Sequence, residues 1–460
     1  MGFLERRAAV VADEFETFRD PLLSLFQSAV GEVGEKIDNT APGRGRRGIT
    51  RSTGSVLKQH AVEIAKRETG ETPPQPTIIA RDLSKSGVVQ FCAELALRYI
   101  KALAVDNKAA LDEIESEYTG STCDSAWVST LKEYTAYFGI TGNRAHIPYV
   151  RASQVGPKII PLKPDAKVAL VADWGTGAQP ALNVLSAIAT RKPDVMIHLG
   201  DIYYSGTPKE CQDNFVEPVQ RILRKNANIP VYSLSGNHDM YCGGLGYYSL
   251  VRTLNPAPMD QAASFFCLRS TDEKWQFLAM DTGLHDHSPY GVTNAVTYLE
   301  EDELAWHVDR MAEFKGRTIL LSHHQLFSAF SGIGQPDRGK RNPVNPQLLK
   351  AYNAIRAKGD IAAWYWGHEH SLSIYQKYGD LERGRCIGHG AIPVPTADDI
   401  YKTLDDLDNP PTVVDGTHLG VSGGVWNHGY TTLSLEGSQC EESFYELATG
   451  GERLVWSETF

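Results

Sequence analysis

No stretch of the 460 residues holds an apolar run long enough to span a bilayer, so a membrane-crossing helix is not expected. Cysteines are few and unpatterned. The seven (92, 123, 211, 242, 267, 386 and 440) show no CxxC spacing, and so odd and sparse a set fits reduced thiols better than a disulfide frame. Basic charge is also in deficit. A net charge of -11, with 22% charged residues, argues against nucleic acid or an acidic membrane surface as partner. The expected partner is a small molecule, and an anionic one would need local positive charge such as a metal site provides. The opening MGFLERRAAVVADEFETF lacks the apolar core of a signal peptide, which makes a cytoplasmic location the expectation.

What is present divides near residue 155. Residues 1–155 read as a helical domain with no recognisable role. In GVVQFCAELALRYIKALA, Val88, Phe91, Cys92, Leu95, Tyr99 and Leu103 recur at helical steps, and further helices are expected at 8–35, 55–68, 108–117 and 125–138. GRGRRG at 43–48 matches GxGxxG formally but follows no strand, so it reads as a basic loop. From 156 to 460 short apolar runs alternate with helices. VALVAD, VMIHLGD, PVYSLSGNHD, QFLAMDTG, TILLSHHQ and IAAWYWGHEH read as buried strands. ALNVLSAIATRK, FVEPVQRILRK and EDELAWHVDRMAEF read as helices. The last segments, GYTTLSLEG onward, alternate polar and apolar residues around glycine turns and suggest antiparallel strands.

The strand ends carry the chemistry. Asp173 in ADWG, Asp201 in GDIYY, Asn237 and His238 in GNHD, His323 in LLSHH, and His368 with His370 in GHEH all fall there. Each alone is as well explained as a cap or a hydrogen-bonded core histidine. Together they form the carboxylate, amide and imidazole set that binds hard and borderline metals. If GHEH is extended, His368 and His370 face one cavity and Glu369 faces elsewhere. Two histidines on one side and a bridging carboxylate suit two metals about 3.5 Å apart.

These motifs, in this order and spacing, resemble the metallophosphoesterases of the calcineurin-like superfamily over residues 168 to about 435. ADWG, GDIYY, GNHD, LLSH and GHEH are closest to the purple acid phosphatase branch. The resemblance implies a four-layered α/β/β/α sandwich. It implies Asp173, Asp201, Tyr204 and His370 around a first metal, usually Fe(III), with Asp201 bridging to a second (Zn, Mn or Fe(II)) held by Asn237, His323 and His368. It also implies hydrolysis of phosphate monoesters by metal-activated hydroxide, with His238 protonating the leaving group. Asp239 either orients His238 or caps locally. Many other members carry DxH as the first motif, and here Gly175 stands at the histidine position, so Tyr204 would compensate while Tyr203 packs. Ala172 and Leu320 depart from the branch's Gly and Val without touching a ligand.

Two other functions stay open on the sequence: a phosphodiesterase acting on cyclic nucleotides or phospholipid head groups, and a catalytically inactive scaffold retaining the fold. His324 should point away from its neighbour His323, lining the cleft or packing. His389 either approaches the site or serves as a loop histidine; His285, His287 and His428 are not expected to ligate. Tyr241 and Tyr247 read as loop packing, with a leaving-group contact as the alternative. Oligomeric state is not legible.

Overall fold

The computed structural model describes residues 147–460 except 204, 287–295, 335, 395, 397–398 and 423. The helices and the basic loop expected before residue 147 lie outside the described residues, as do Tyr204 and His287.

Strands run in chain order as β1 (Ile160–Leu162), β2 (Lys167–Val171), β3 (Val195–His198), β4 (Val231–Ser233), β5 (Phe266–Ser270), β6 (Trp275–Ala279), β7 (Arg317–Leu321) and β8 (Asp360–Trp366). They continue as β9 (Leu372–Ile374), β10 (Gly384–Ile387), β11 (Val421–Ser422), β12 (Val425–Trp426), β13 (His428–Glu436), β14 (Gln439–Ala448) and β15 (Gly451–Thr459). One sheet has six strands in the order β15-β14-β13-β2-β3-β4; the other has seven, β1-β5-β6-β7-β8-β10-β9. β2, β3 and β4 are parallel, as are β6, β7 and β8. The C-terminal strands are antiparallel as expected, and β13 joins the sheet alongside β2.

Alternation along the strands, interrupted in β8 where Ala362 and Ala363 both face inward, stacks the layers. Val168 and Leu170 of β2 meet Ile319 and Leu321 of β7 and Ala363 and Tyr365 of β8 in the core between the sheets. The residues between them face outward. Ala169 and Val171 pack beneath the helix Gln179–Arg191, and Leu320, Trp364 and Trp366 beneath the helices Glu301–Ala312 and Pro346–Arg356. A side chain buried on this scale is worth roughly 1.5–3 kcal/mol, so a single register slip would expose most of a face. The result is the expected α/β/β/α sandwich. Inside it, Arg385 of β10 donates from Nη2 to Glu442 Oε1 of β14 at 2.7 Å, and Tyr365 of β8 also donates to Glu442, so a polar rivet joins the two sheets.

FVEPVQRILRK departs from the expected α-helix, forming wide π turns at Cys211–Val216 and Val219–Leu223. Pro218 lies between them, and its missing N–H prevents a continuous helical ladder. The helix Pro346–Arg356 is started by Asn345, whose side chain accepts from the N–H groups of Gln347 and Leu348. The five described cysteines are buried thiols. Among the described residues no helix is long and apolar enough to cross a membrane.

Candidate metal centre

Both sheets present their strand ends to one place. Asp173 follows β2, Asp201 follows β3 and Asn237 follows β4; His323 follows β7, and His368 and His370 follow β8. Asp173, Asp201 and His368 have φ of 53°, 75° and 67°, left-handed values that side chains other than glycine adopt at a cost. The turns are held from outside. Asp173 N–H donates to Gly200 O at 3.1 Å, and Gly367 N–H to His323 O at 2.9 Å.

Two groups of potential ligand atoms result, each lying within 4.8 Å: Asp173, Asp201 and His370, and His323, His324 and His368. In the first, His370 Nε2 is 3.5 Å from Asp173 Oδ1. Asp173 Oδ2 accepts the His368 N–H at 2.9 Å. Although burial opposes it, the hydrogen bond to His370 and the nearby histidine charges hold the Asp173 carboxyl below the usual carboxylate range. Asp201 turns Oδ1 toward His323 Nε2 at 3.5 Å, so its carboxylate reaches both groups.

In the second group, Asn237 Oδ1 lies 3.1 Å from His323 Nε2 and 3.1 Å from His368 Nδ1. The amide is oriented by its other end, Nδ2 donating to the Tyr241 hydroxyl at 2.7 Å. His323 Nδ1 stands 2.9 Å from the carbonyl of Leu199. A carbonyl only accepts, so that nitrogen carries a proton, and Nε2 is the ring atom left to face Asn237 and Asp201. Oxygen and nitrogen acceptors from both sheets therefore converge with too few protons between them. A donor set of this kind fits cations.

The structure revises several readings made from the sequence. Tyr203, expected to pack, is buried against His238 with ring centroids 4.5 Å apart, but its hydroxyl lies 3.2 Å from Asp173 Oδ1, 3.0 Å from Asp201 Oδ2 and 3.2 Å from His370 Nε2. Asp239 has both oxygens committed to backbone, accepting from N–H of Asp201 at 2.9 Å, Ile202 at 3.2 Å and Gly236 at 2.7 Å. It clamps two site loops together rather than orienting the His238 ring. Burial, with the adjacent Asp201 carboxylate, pushes its pKa upward against those three donors. GHEH is a tight turn instead of an extended segment, with His368 at positive φ; His370 still joins the first group and His368 the second, as the resemblance implies. Glu369 faces elsewhere as expected and accepts from the Ser331 hydroxyl.

His324 also turns inward: its ring centroid lies 4.4 Å from that of His368. Thr282 Oγ1 at 3.0 Å from Nδ1 and Asp286 Oδ2 at 3.2 Å from Nε2 hold it, and burial with the neighbouring His323 drives its pKa well down. Thr282 and Asp286 escaped the sequence reading, because nothing local marks a partner approaching from another loop; Tyr241, read as loop packing, instead holds the Asn237 amide. His238 donates its N–H to Asp201 Oδ1 at 3.1 Å, and its ring also faces Tyr241 at 4.8 Å. The Tyr247 hydroxyl donates to Ser233 O at 2.7 Å, a packing role. His285 stacks on Tyr298 at 3.7 Å and pairs with Glu300 at 2.8 Å. His389 bonds the Tyr445 carbonyl at 3.3 Å, burial pushing it down to about 4, and burial likewise lowers His428 to about 3.

Gly175 has a steric explanation. A Cβ there would lie 2.8 Å from Ile202 Cα and 2.9 Å from Asp201 O, so no histidine fits without moving the Asp201 loop.

Residues 166–372 match the family described as calcineurin-like phosphoesterase. No curated protein matches. Solved structures resembling the chain include GAP50, the anchor in the inner membrane complex of Plasmodium, with TM-score 0.43 and 12% identity over 64% of this chain and 88% of that one. A dimetal phosphatase from Danio rerio has TM-score 0.40 and 12% identity, covering 64% and 99%. PhoD has 0.39 and 12%, covering 64% and 72%. Likeness at this level carries no information about activity.

Proposed function

Because the chain belongs to the calcineurin-like metallophosphoesterase superfamily, we propose that it is a dinuclear phosphatase of phosphate monoesters, nearest in its motifs to the purple acid phosphatase branch. The observation that carries this is the convergence of acceptor atoms from the ends of both sheets, with Asp201 reaching both groups. In this reading Asp173, Asp201 and His370, with the tyrosine that the branch resemblance puts at Tyr204, hold Fe(III). Asn237, His323 and His368, with Asp201 shared, hold Zn, Mn or Fe(II).

Two bound cations would supply a water of lowered pKa and positive charge against the phosphate oxygens. The chain does the rest. His323, its Nδ1 on the Leu199 carbonyl, keeps Nε2 turned to the site, and Tyr241 keeps the Asn237 oxygen beside it. His238, held by its N–H on Asp201 and by the rings of Tyr203 and Tyr241, is the proton donor. As water oxygen joins phosphorus and the ester P–O bond breaks, its imidazolium gives the leaving oxygen a proton. An acidic protein with net charge -11 then meets an anionic substrate only where cations concentrate positive charge.

Metal-loaded protein should hydrolyse nitrophenyl phosphate faster than bis-nitrophenyl phosphate. Turnover of the diester alone would replace the monoester assignment with a phosphodiesterase. No turnover of either, with iron, zinc or manganese bound, would leave a scaffold. His238→Gln should lower kcat about 10²-fold with metal content unchanged; an unchanged kcat removes its role.

A further inference from the structure

We propose that Tyr203, rather than Tyr204, presents its phenolic oxygen to the cation held by Asp173, Asp201 and His370. The inference rests on the dinuclear reading above and departs from the register that the branch resemblance implies.

Three ligand-type atoms surround the Tyr203 oxygen: Asp201 Oδ2 at 3.0 Å, Asp173 Oδ1 at 3.2 Å and His370 Nε2 at 3.2 Å. A phenol has a single proton to donate. It can satisfy one carboxylate, which leaves the other facing the phenolic oxygen at close range with no hydrogen between them. One cation among the four atoms removes that conflict, since each then directs a lone pair at the same charge. Hard oxygen donors and one imidazole also make the donor set a hard cation prefers.

The position is built rather than incidental. Tyr203 is 1% exposed. Its N–H donates to the Gly175 carbonyl at 2.9 Å, and its own carbonyl accepts from Asn214 Nδ2 at 2.8 Å. Its ring lies against His238. Gly175 thus does two things: it has no side chain to offer a metal, and its backbone carbonyl anchors the residue whose hydroxyl enters the same group. The missing histidine and the inward tyrosine are two sides of one backbone contact, the Gly175–Ile202 bridge.

The test loads metal-free full-length protein with Fe(III) and Zn(II), then reads metal content, chelator competition and the visible spectrum for the wild type, Tyr203→Phe, Tyr204→Phe and Tyr203→His. Expected is a phenolate-to-iron charge-transfer band in the wild type and in Tyr204→Phe. Tyr203→Phe should lose it, with first-site affinity down roughly tenfold or more. Tyr203→His, which supplies an imidazole instead, should keep both metals and lack the band, separating loss of a ligand from loss of the fold. The band surviving in Tyr203→Phe and vanishing in Tyr204→Phe overturns the proposal. So does wild-type protein that binds iron without the band. If the wild type takes up no iron, the competition is run with Zn(II), and affinity in Tyr203→Phe within about twofold of wild type overturns it equally. Phosphate ester turnover is read separately. Coloured but inert wild-type protein would keep the ligand assignment and remove the proposed function.

Discussion

The two sheets contribute different chemistry to one site. Every candidate ligand from the six-stranded sheet offers oxygen: Asp173, Asp201, the Asn237 amide and the proposed Tyr203. Every one from the seven-stranded sheet is an imidazole: His323, His368 and His370. The first group takes atoms from both sheets; the three histidines of the second all follow strands of the seven-stranded sheet, and Asn237 and Asp201 reach them from the other. The site therefore exists only when the sheets are stacked, and its integrity reports on the core between them. The difference also separates the groups in hardness: the one containing Asp173 and Asp201 is rich in charged oxygen, and the one containing His323 and His368 in neutral nitrogen.

The comparison breaks most severely at Asp201. Asp201→Ala should take bound metal from two equivalents toward none and lower kcat/KM on the order of 10³-fold, about 4 kcal/mol of barrier. Elemental analysis beside a phosphatase assay checks it, and retention of both metals would show that the halves are independent. A smaller change sharpens the distinction. Tyr241→Phe frees the Asn237 amide to rotate, so chelator competition should show the second cation weakened about tenfold and the first unaffected. Equal weakening of both would mean that Tyr241 supports the loop rather than the amide.

The smallest expected effect concerns stability on the seven-stranded side. Glu303, fully buried, accepts from Asp281 N–H at 2.8 Å and Tyr149 hydroxyl at 2.9 Å, and lies 3.3 Å from His307 Nε2. Burial, then the Asp281 carboxylate, pushes it well above the ordinary range. The folded state keeps a proton that the unfolded chain releases above about pH 4.3. Glu303 thus favours the fold fully below that value, and the contribution declines as pH rises toward the folded pKa. Glu303→Gln should flatten the fall in thermal midpoint between about pH 5 and about pH 8; an identical slope in wild type and variant would place the charge change elsewhere.

Much of this arrangement was legible in residue order. Short apolar runs in VALVAD, TILLSHHQ and IAAWYWGHEH marked buried strands, and their polar ends marked the site. Assuming that side chains keep alternating misled once the strands stopped. At Asp173, Asp201 and His368 the backbone turns left-handed, so alternation no longer says which way a side chain faces. That is why Tyr203 was read as packing, His324 as turned away, and GHEH as extended. The pairing of β13 with β2 was hidden for another reason: it joins segments more than two hundred residues apart, and no local pattern encodes a partner.

Those left-handed turns have a thermodynamic consequence. Each costs roughly 1 kcal/mol or more wherever a side chain is present, and the crowded acceptors add mutual repulsion. A cation that binds only the folded arrangement offsets both, so the melting temperature becomes a gauge of metal occupancy. Chelation should lower it before any catalytic assay is run, and the return of each metal equivalent should raise it in a separate step.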